Sequence, residues 1–160
     1  MTIENPTFKF KTNIKKRIYA TLLDYGLYIL CFYVYVMFFG HENDEGGLTV
    51  EGLLALPIFI AWFIYFVVIE TYYGATFGHQ GFNLKVQTLN RRDIDFTQAL
   101  KRHLLDPIDI LFYGIPAIIA IKNSDKHQRI GDMWAKTIVV DTTDPEQYFN
   151  KQTTVTNDEK

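Results

Sequence analysis

Two long apolar runs dominate the pattern along this chain. Ile18–Phe39 and Leu53–Ile69 are apolar almost throughout, while 1–17, 40–52, 70–103 and 141–160 are polar. About 20 apolar residues in a helix cross a bilayer's hydrocarbon core. The first run has that length, and the second sits at the short end. Neither has the short apolar region and small-residue cleavage site of a secretory signal, so the first reads as a retained anchor. Pro57 lies in the first turns of the second run, where a missing backbone donor costs little. Tyr72 and Tyr73, just beyond it, suit an interfacial aromatic belt.

The third apolar run, Leu104–Ile121, is interrupted by Asp106, Pro107, Asp109, Gly114 and Pro116. Ile108–Ile121 would rise only about 21 Å as a helix, short of the roughly 30 Å core. It therefore spans with tilt or enters and turns back near Gly114–Pro116, and the second reading is favoured. Two shorter stretches, "FNLKVQTL" and "AKTIVVD", alternate apolar and polar positions as strands do. Neither is stable alone, so they are expected to pair on one side of the membrane. Between them "DIDFTQALKRHLL" reads as a helix capped by Asp93 or Asp95, with Lys101, Arg102 and His103 as a basic face snorkelling to lipid phosphates.

Charge orients these elements. Lys and Arg are dense in 1–17, 70–103 and 122–140 and absent from 40–52, which carries Glu42, Asp44, Glu45 and Glu51. The positive-inside rule then predicts a cytoplasmic N-terminus, an external 40–52 loop and a cytoplasmic 70–103 loop. The C-terminal tail also belongs in the cytoplasm. The fold class expected is a mainly α-helical membrane protein: two full transmembrane helices, a third spanning or re-entrant segment, and a small cytoplasmic β element. Its domain covers 14–141, after a polar segment 1–13 and before a disordered polar tail 142–160.

Composition narrows the chemistry. Net charge is −2, so no basic field points to nucleic acid. The one cysteine, Cys31, makes an intrachain disulfide impossible and reads as a buried small apolar residue. His41, His79, His103 and His127 lack metal-ligand spacing. "GATFGHQGF" lacks the Gly-Lys-Ser/Thr of a P-loop. No nucleophile–base pair stands out. Neither enzyme activity nor a metal or cofactor is expected.

What remains is Asp24, the only formally charged residue in Ile18–Phe39. A carboxylate at the centre of a span costs about 2.5–3.5 kcal/mol, so it needs a partner or a task. Arg17 lies two helical turns away on the same stripe, continued by Tyr28. A cation from another segment is the preferred partner, with Arg102 and Arg129, near Asp106 and Asp132, as candidates.

"RIYATLLD", "YGATFGHQGFNLKV", "QALKRHLL" and "HQRIGDMWAKTIVV", in this order, resemble the RDD family of small bacterial membrane proteins, named for one arginine and two aspartates. Arg17 and Asp24 match the first two, and Asp132 is matched to the third. Gly74, Thr76, Gly78 and Thr137 fall on motif or turn positions. The chain departs from the family's usual residues at His79 (often Lys), Gly131 (often His) and Lys136 (commonly Gly). The resemblance implies a multi-pass protein of the cell inner membrane, with transport suggested and cation/proton exchange proposed for some members. Arg17, Asp24, Arg102, Asp106, Arg129 and Asp132 are the candidate ion-pair, proton or cation residues. The expected function is proton-coupled monovalent cation exchange in a homo-oligomer within the lipid bilayer. The alternative is a non-catalytic scaffold or assembly factor.

Overall fold

A computed structural model describes residues 8–43 and 46–148, without the side chains of 111–113. The outer parts of both polar termini, 1–7 and 149–160, lie outside the described residues, as do Asp44 and Glu45 of the acidic loop.

The first apolar run forms α1, Ile14–Phe39. A two-residue hairpin, β1 (His41–Glu42) with β2 (Leu48–Thr49), follows in the acidic loop. A second apolar rod then runs from Gly52 to Tyr73. It starts with a 3-10 turn (Gly52–Ala55) and continues as α2 (Leu56–Trp62). It then widens into a π-helical segment, Phe63–Val68, and ends as α3, Ile69–Tyr73. Both rods are long and apolar enough to cross a membrane, and only 11% of each apolar window is buried within the chain. A soluble protein's core helix would be mostly buried, since burial is what stabilises it. Cys31, expected to be buried, is exposed on α1; it lies on the face that the fold leaves open.

Gly74 ends α3 in the left-handed conformation, φ 68°, a region open to glycine without a Cβ penalty. The short α4, Phe77–Gly81, starts at Thr76. Strand β3, Leu84–Thr88, pairs antiparallel with β4, Thr137–Asp141, in the register Leu84↔Asp141 to Thr88↔Thr137. Between them lie α5 (Phe96–Leu104), α6 (Asp106–Asn123) and α7 (Ile130–Ala135). Of the two caps considered for α5, Asp95 is the one used: it accepts from the Gln98 amide at 2.8 Å while Gln98 returns a bond to the Asp95 amide. The third apolar run is α6, 18 residues long. Gly114 interrupts it at φ +82°, and Pro116 follows inside the helix, so it does not run straight.

The apolar core gathers Ala20, Val67, Leu84, Val86, Ile94, Ala99 and Val139. It therefore ties the polar-loop end of both rods to the β3–β4 pair and α5. The segment 142–148, expected as tail, turns back onto the N-terminal segment. Lys11 pairs with Asp144 at 2.6 Å, and the Asn13 amide donates to Gln147 at 2.7 Å.

Candidate functional site

Two buried polar clusters sit where the rods meet the loop segments. The first is built on Asp24, which is 2% exposed. Its Oδ1 accepts from the Tyr65 hydroxyl at 2.8 Å and the Gly78 amide at 2.7 Å. Its Oδ2 accepts from the Thr76 hydroxyl at 2.5 Å, and Nδ1 of His79 lies 3.1 Å away. The expected guanidinium partner is not there; neither Arg102 nor Arg129 pairs with Asp24. The reason is local. Ala20, one turn before Asp24, is small and fully buried, so α4 packs directly on α1. A Cβ on Gly78 would stand 2.3 Å from the Ala20 carbonyl oxygen. That approach delivers the α4 amides and His79 to the carboxylate and leaves no room for an arginine. Tyr65 comes from the π-helical segment, a distortion frequent at functional sites.

The second cluster collects the arginines. Arg17 donates to Asp132 at 2.6 Å and to the His127 carbonyl at 2.9 Å. Arg102, 0% exposed, donates through Nε to Glu70 at 2.8 Å, through Nη1 to Asp132, and to the Thr137 hydroxyl at 3.3 Å. Arg129 Nη1 lies 2.8 Å from Asp106, and its Nε 3.3 Å from Asp132. Asp109 accepts from the first amides of α7, Ile130 and Gly131, at 3.1 Å each. Tyr25 donates to Asp106 at 2.6 Å. The expected basic face of α5 is thus corrected: Arg102 and His103 are buried, because Glu70, Asp106 and Asp132 offer charged partners that water would otherwise have to replace.

Three guanidiniums (Arg17, Arg102, Arg129) face four carboxylates (Glu70, Asp106, Asp109, Asp132) here. A protonated His103 balances them, with Nδ1 2.7 Å from Asp106 and Nε2 3.3 Å from Glu70. Burial opposes its charge, but the two carboxylates outweigh burial and raise its pKa to about 9. For Asp132, burial is outweighed by Arg102, Arg17 and Arg129, which hold its carboxyl well below the usual range. Burial of Arg129 is likewise outweighed, by Asp106, Asp132 and Asp109, and its pKa rises.

A pH prediction follows. A histidine whose folded pKa lies above its ordinary 6.5 stabilises fully below that value and loses the contribution as pH rises through about 9. Thermal stability in detergent is expected to fall across that window, by on the order of 3 kcal/mol. His103→Gln should flatten the slope; an unchanged slope would remove His103 from the balance.

Of the residues singled out in the sequence, Arg17, Arg102, Asp106, Arg129, Asp132 and Thr137 come together in one cluster. Asp24, Thr76 and Gly78 form the other. Gly74 sits at the end of α3, its carbonyl accepting from the Val86 amide at 2.7 Å. Glu70, His103, Asp109, Tyr25, Tyr65 and His79 were not singled out as site residues. Glu70 carried the same signal as Asp24, an acid at an apolar run, and stood at its end instead of its middle. Among the described residues, no group of three or more His, Cys, Asp and Glu is arranged to hold a metal ion.

A cleft of about 320 Å³ lies beside these clusters, between α1 and α6. It is lined by Arg17, His79, Asp109 and Arg129 together with apolar side chains of both helices. No curated protein and no solved structure matches this chain. Residues 12–136, most of its length, match the RDD family, and the chain belongs to that membrane-associated family.

Proposed function

We propose that this chain is a multi-pass protein of the bacterial inner membrane that exchanges a monovalent cation for a proton at the Asp24–His79 pair. One observation carries the reading. His79 lies 3.1 Å from the buried Asp24 carboxylate and also lines the cleft beside α1. Intramembrane carboxylates mark ion and proton pathways. The pair would hold one exchangeable positive charge beside the Asp24 carboxylate, either a proton or a monovalent cation that enters from the cleft. The arginine cluster holds the loop segments against the rods while this happens.

The topology proposed keeps the N-terminus, 70–103 and the C-terminal tail in the cytoplasm and 40–52 outside, with α6 entering the membrane and returning. Two features support it. Lys and Arg avoid 40–52. The pairing of β3 with β4 requires both strands on one side, and α6 is the one long apolar helix between them. A break at Gly114 fits a helix that enters and returns. One chain offers few walls for a pathway, so a homo-oligomer in the bilayer is part of the proposal.

The second reading is a scaffold or assembly factor. It is favoured by the arginine cluster, whose charges are answered by one another. Asp24→Asn separates the two. The variant keeps an acceptor oxygen for Gly78 and Tyr65, so it is expected to fold. In liposomes with a trapped pH dye and a proton gradient, wild-type protein should change internal pH when Na⁺, K⁺ or Li⁺ is added, and Asp24→Asn should not. Folded wild-type protein that gives no pH change with any of the three ions would leave the scaffold reading.

A further inference from the structure

We propose that the cleft between α1 and α6 is a binding site for one anionic phospholipid. Its head group would meet Arg17 and Arg129, and an acyl chain would lie along Ile18, Leu22 and Ile118. His79 lines the same cleft, so the lipid would stand beside the exchange site, but the proposal rests on the two arginines and the break in α6 and not on exchange.

The cleft is amphipathic in a way that suits such a molecule. Its walls are mainly apolar side chains of two helices, while its polar lining includes both arginines. Among the described residues, these arginines keep unused donors. Arg102 engages all three of its guanidinium nitrogens. Arg17 uses Nη1 and Nη2, leaving Nε without a hydrogen bond. Arg129 uses Nε and Nη1, leaving Nη2. Asp109 also lines the cleft, but its oxygens are taken by the Ile130 and Gly131 amides. Arginine's planar fork suits phosphate oxygens.

The break in α6 makes the space. Gly114 lines the cleft, and a Cβ there would meet nothing within 4 Å. Leu22, at 63% exposure, and Ile18, at 38%, carry the apolar wall outward. About 320 Å³ is the low end of ligand pockets, enough for a head group and part of one chain, with the remainder in the bilayer. A free anion would leave the apolar wall unused, and a zwitterionic head group would bring its own cation beside Arg17 and Arg129, so a lipid of net negative charge fits the cleft best.

The test is native mass spectrometry of the full chain released from detergent containing equal dioleoyl-phosphatidylglycerol and dioleoyl-phosphatidylcholine. Wild-type protein should retain phosphatidylglycerol over phosphatidylcholine by about tenfold. Ala117→Phe, which fills the apolar part of the cleft without touching a charge, should lose it. Ile119→Phe, on the exposed face of the same helix and outside the cleft, should keep it. Glycerol 3-phosphate at matched concentration should not displace the lipid. Equal retention of the two lipids by wild-type protein overturns the proposal, and this arm holds even if Ala117→Phe does not fold. Unchanged retention in a folded Ala117→Phe overturns it too, as does full displacement by glycerol 3-phosphate, which would make the site one for free anions.

Discussion

Arg102→Met is expected to be the most damaging single substitution in this chain, costing about 3–5 kcal/mol of stability. Arg102 is fully buried and joins Glu70 on the second rod, Asp132 on α7 and Thr137 on β4. Methionine fills much of the same volume, so the loss is electrostatic and not a cavity effect. Two carboxylates at 0% side-chain exposure lose their shared cation. A buried charge stranded in this way costs far more than a surface pair contributes. Unfolding in detergent, followed by tryptophan fluorescence, reads the difference. Adding Glu70→Gln to Arg102→Met should restore part of the stability, because Glu70 loses its guanidinium while Asp132 keeps Arg17 and Arg129. A shift below about 1 kcal/mol, the range of an exposed pair, would mean that water reaches this cluster.

Gly78→Ala is expected to cost about 1–3 kcal/mol, as overpacking does, and to abolish exchange. The added Cβ would stand 2.3 Å from the Ala20 carbonyl oxygen and 2.6 Å from Cγ of Asp24. Helix α4 must then lift off α1. The lift breaks the Gly78 amide bond to Asp24 and withdraws Thr76 and His79 with it. Gly26→Ala is the matched control on α1. A Cβ there meets nothing within 4 Å, and replacing a helical glycine by alanine stabilises by up to about 1 kcal/mol. Thermal unfolding of the two variants side by side checks the contact. Equal midpoints would mean that α4 does not press on α1.

The contrast between these positions shows how far the chain can be read unaided. The two rods are legible because length and apolarity alone define them, and 40–52 stands out because it lacks Lys and Arg. The β3–β4 pairing follows from alternation in "FNLKVQTL" and "AKTIVVD". Partner choice was not legible. Arg17 and Asp24 share a helical stripe, yet Arg17 turns to Asp132 and Asp24 to α4. Spacing along one helix says which residues share a face, not which segment packs there. That choice was made by Ala20 and Gly78, whose lack of bulk lets two backbones approach. Arg102 reads as part of a basic face snorkelling to lipid because its acids, Glu70 and Asp132, lie about 30 residues away on either side. His79 stood as a departure from the family's usual residue, and it is the group that joins Asp24 to the cleft.

In the exchange proposed here, a proton and a monovalent cation compete for the Asp24–His79 pair. Proton release on cation binding tests it most directly. Na⁺, K⁺ and Li⁺ would each be added to unbuffered, detergent-solubilised protein with a pH dye. Wild-type protein should release up to about one proton per chain with at least one of these ions, and Asp24→Asn and His79→Gln should release none. Folded wild-type protein that releases no proton with any ion, or an Asp24→Asn variant that releases as many, would contradict it.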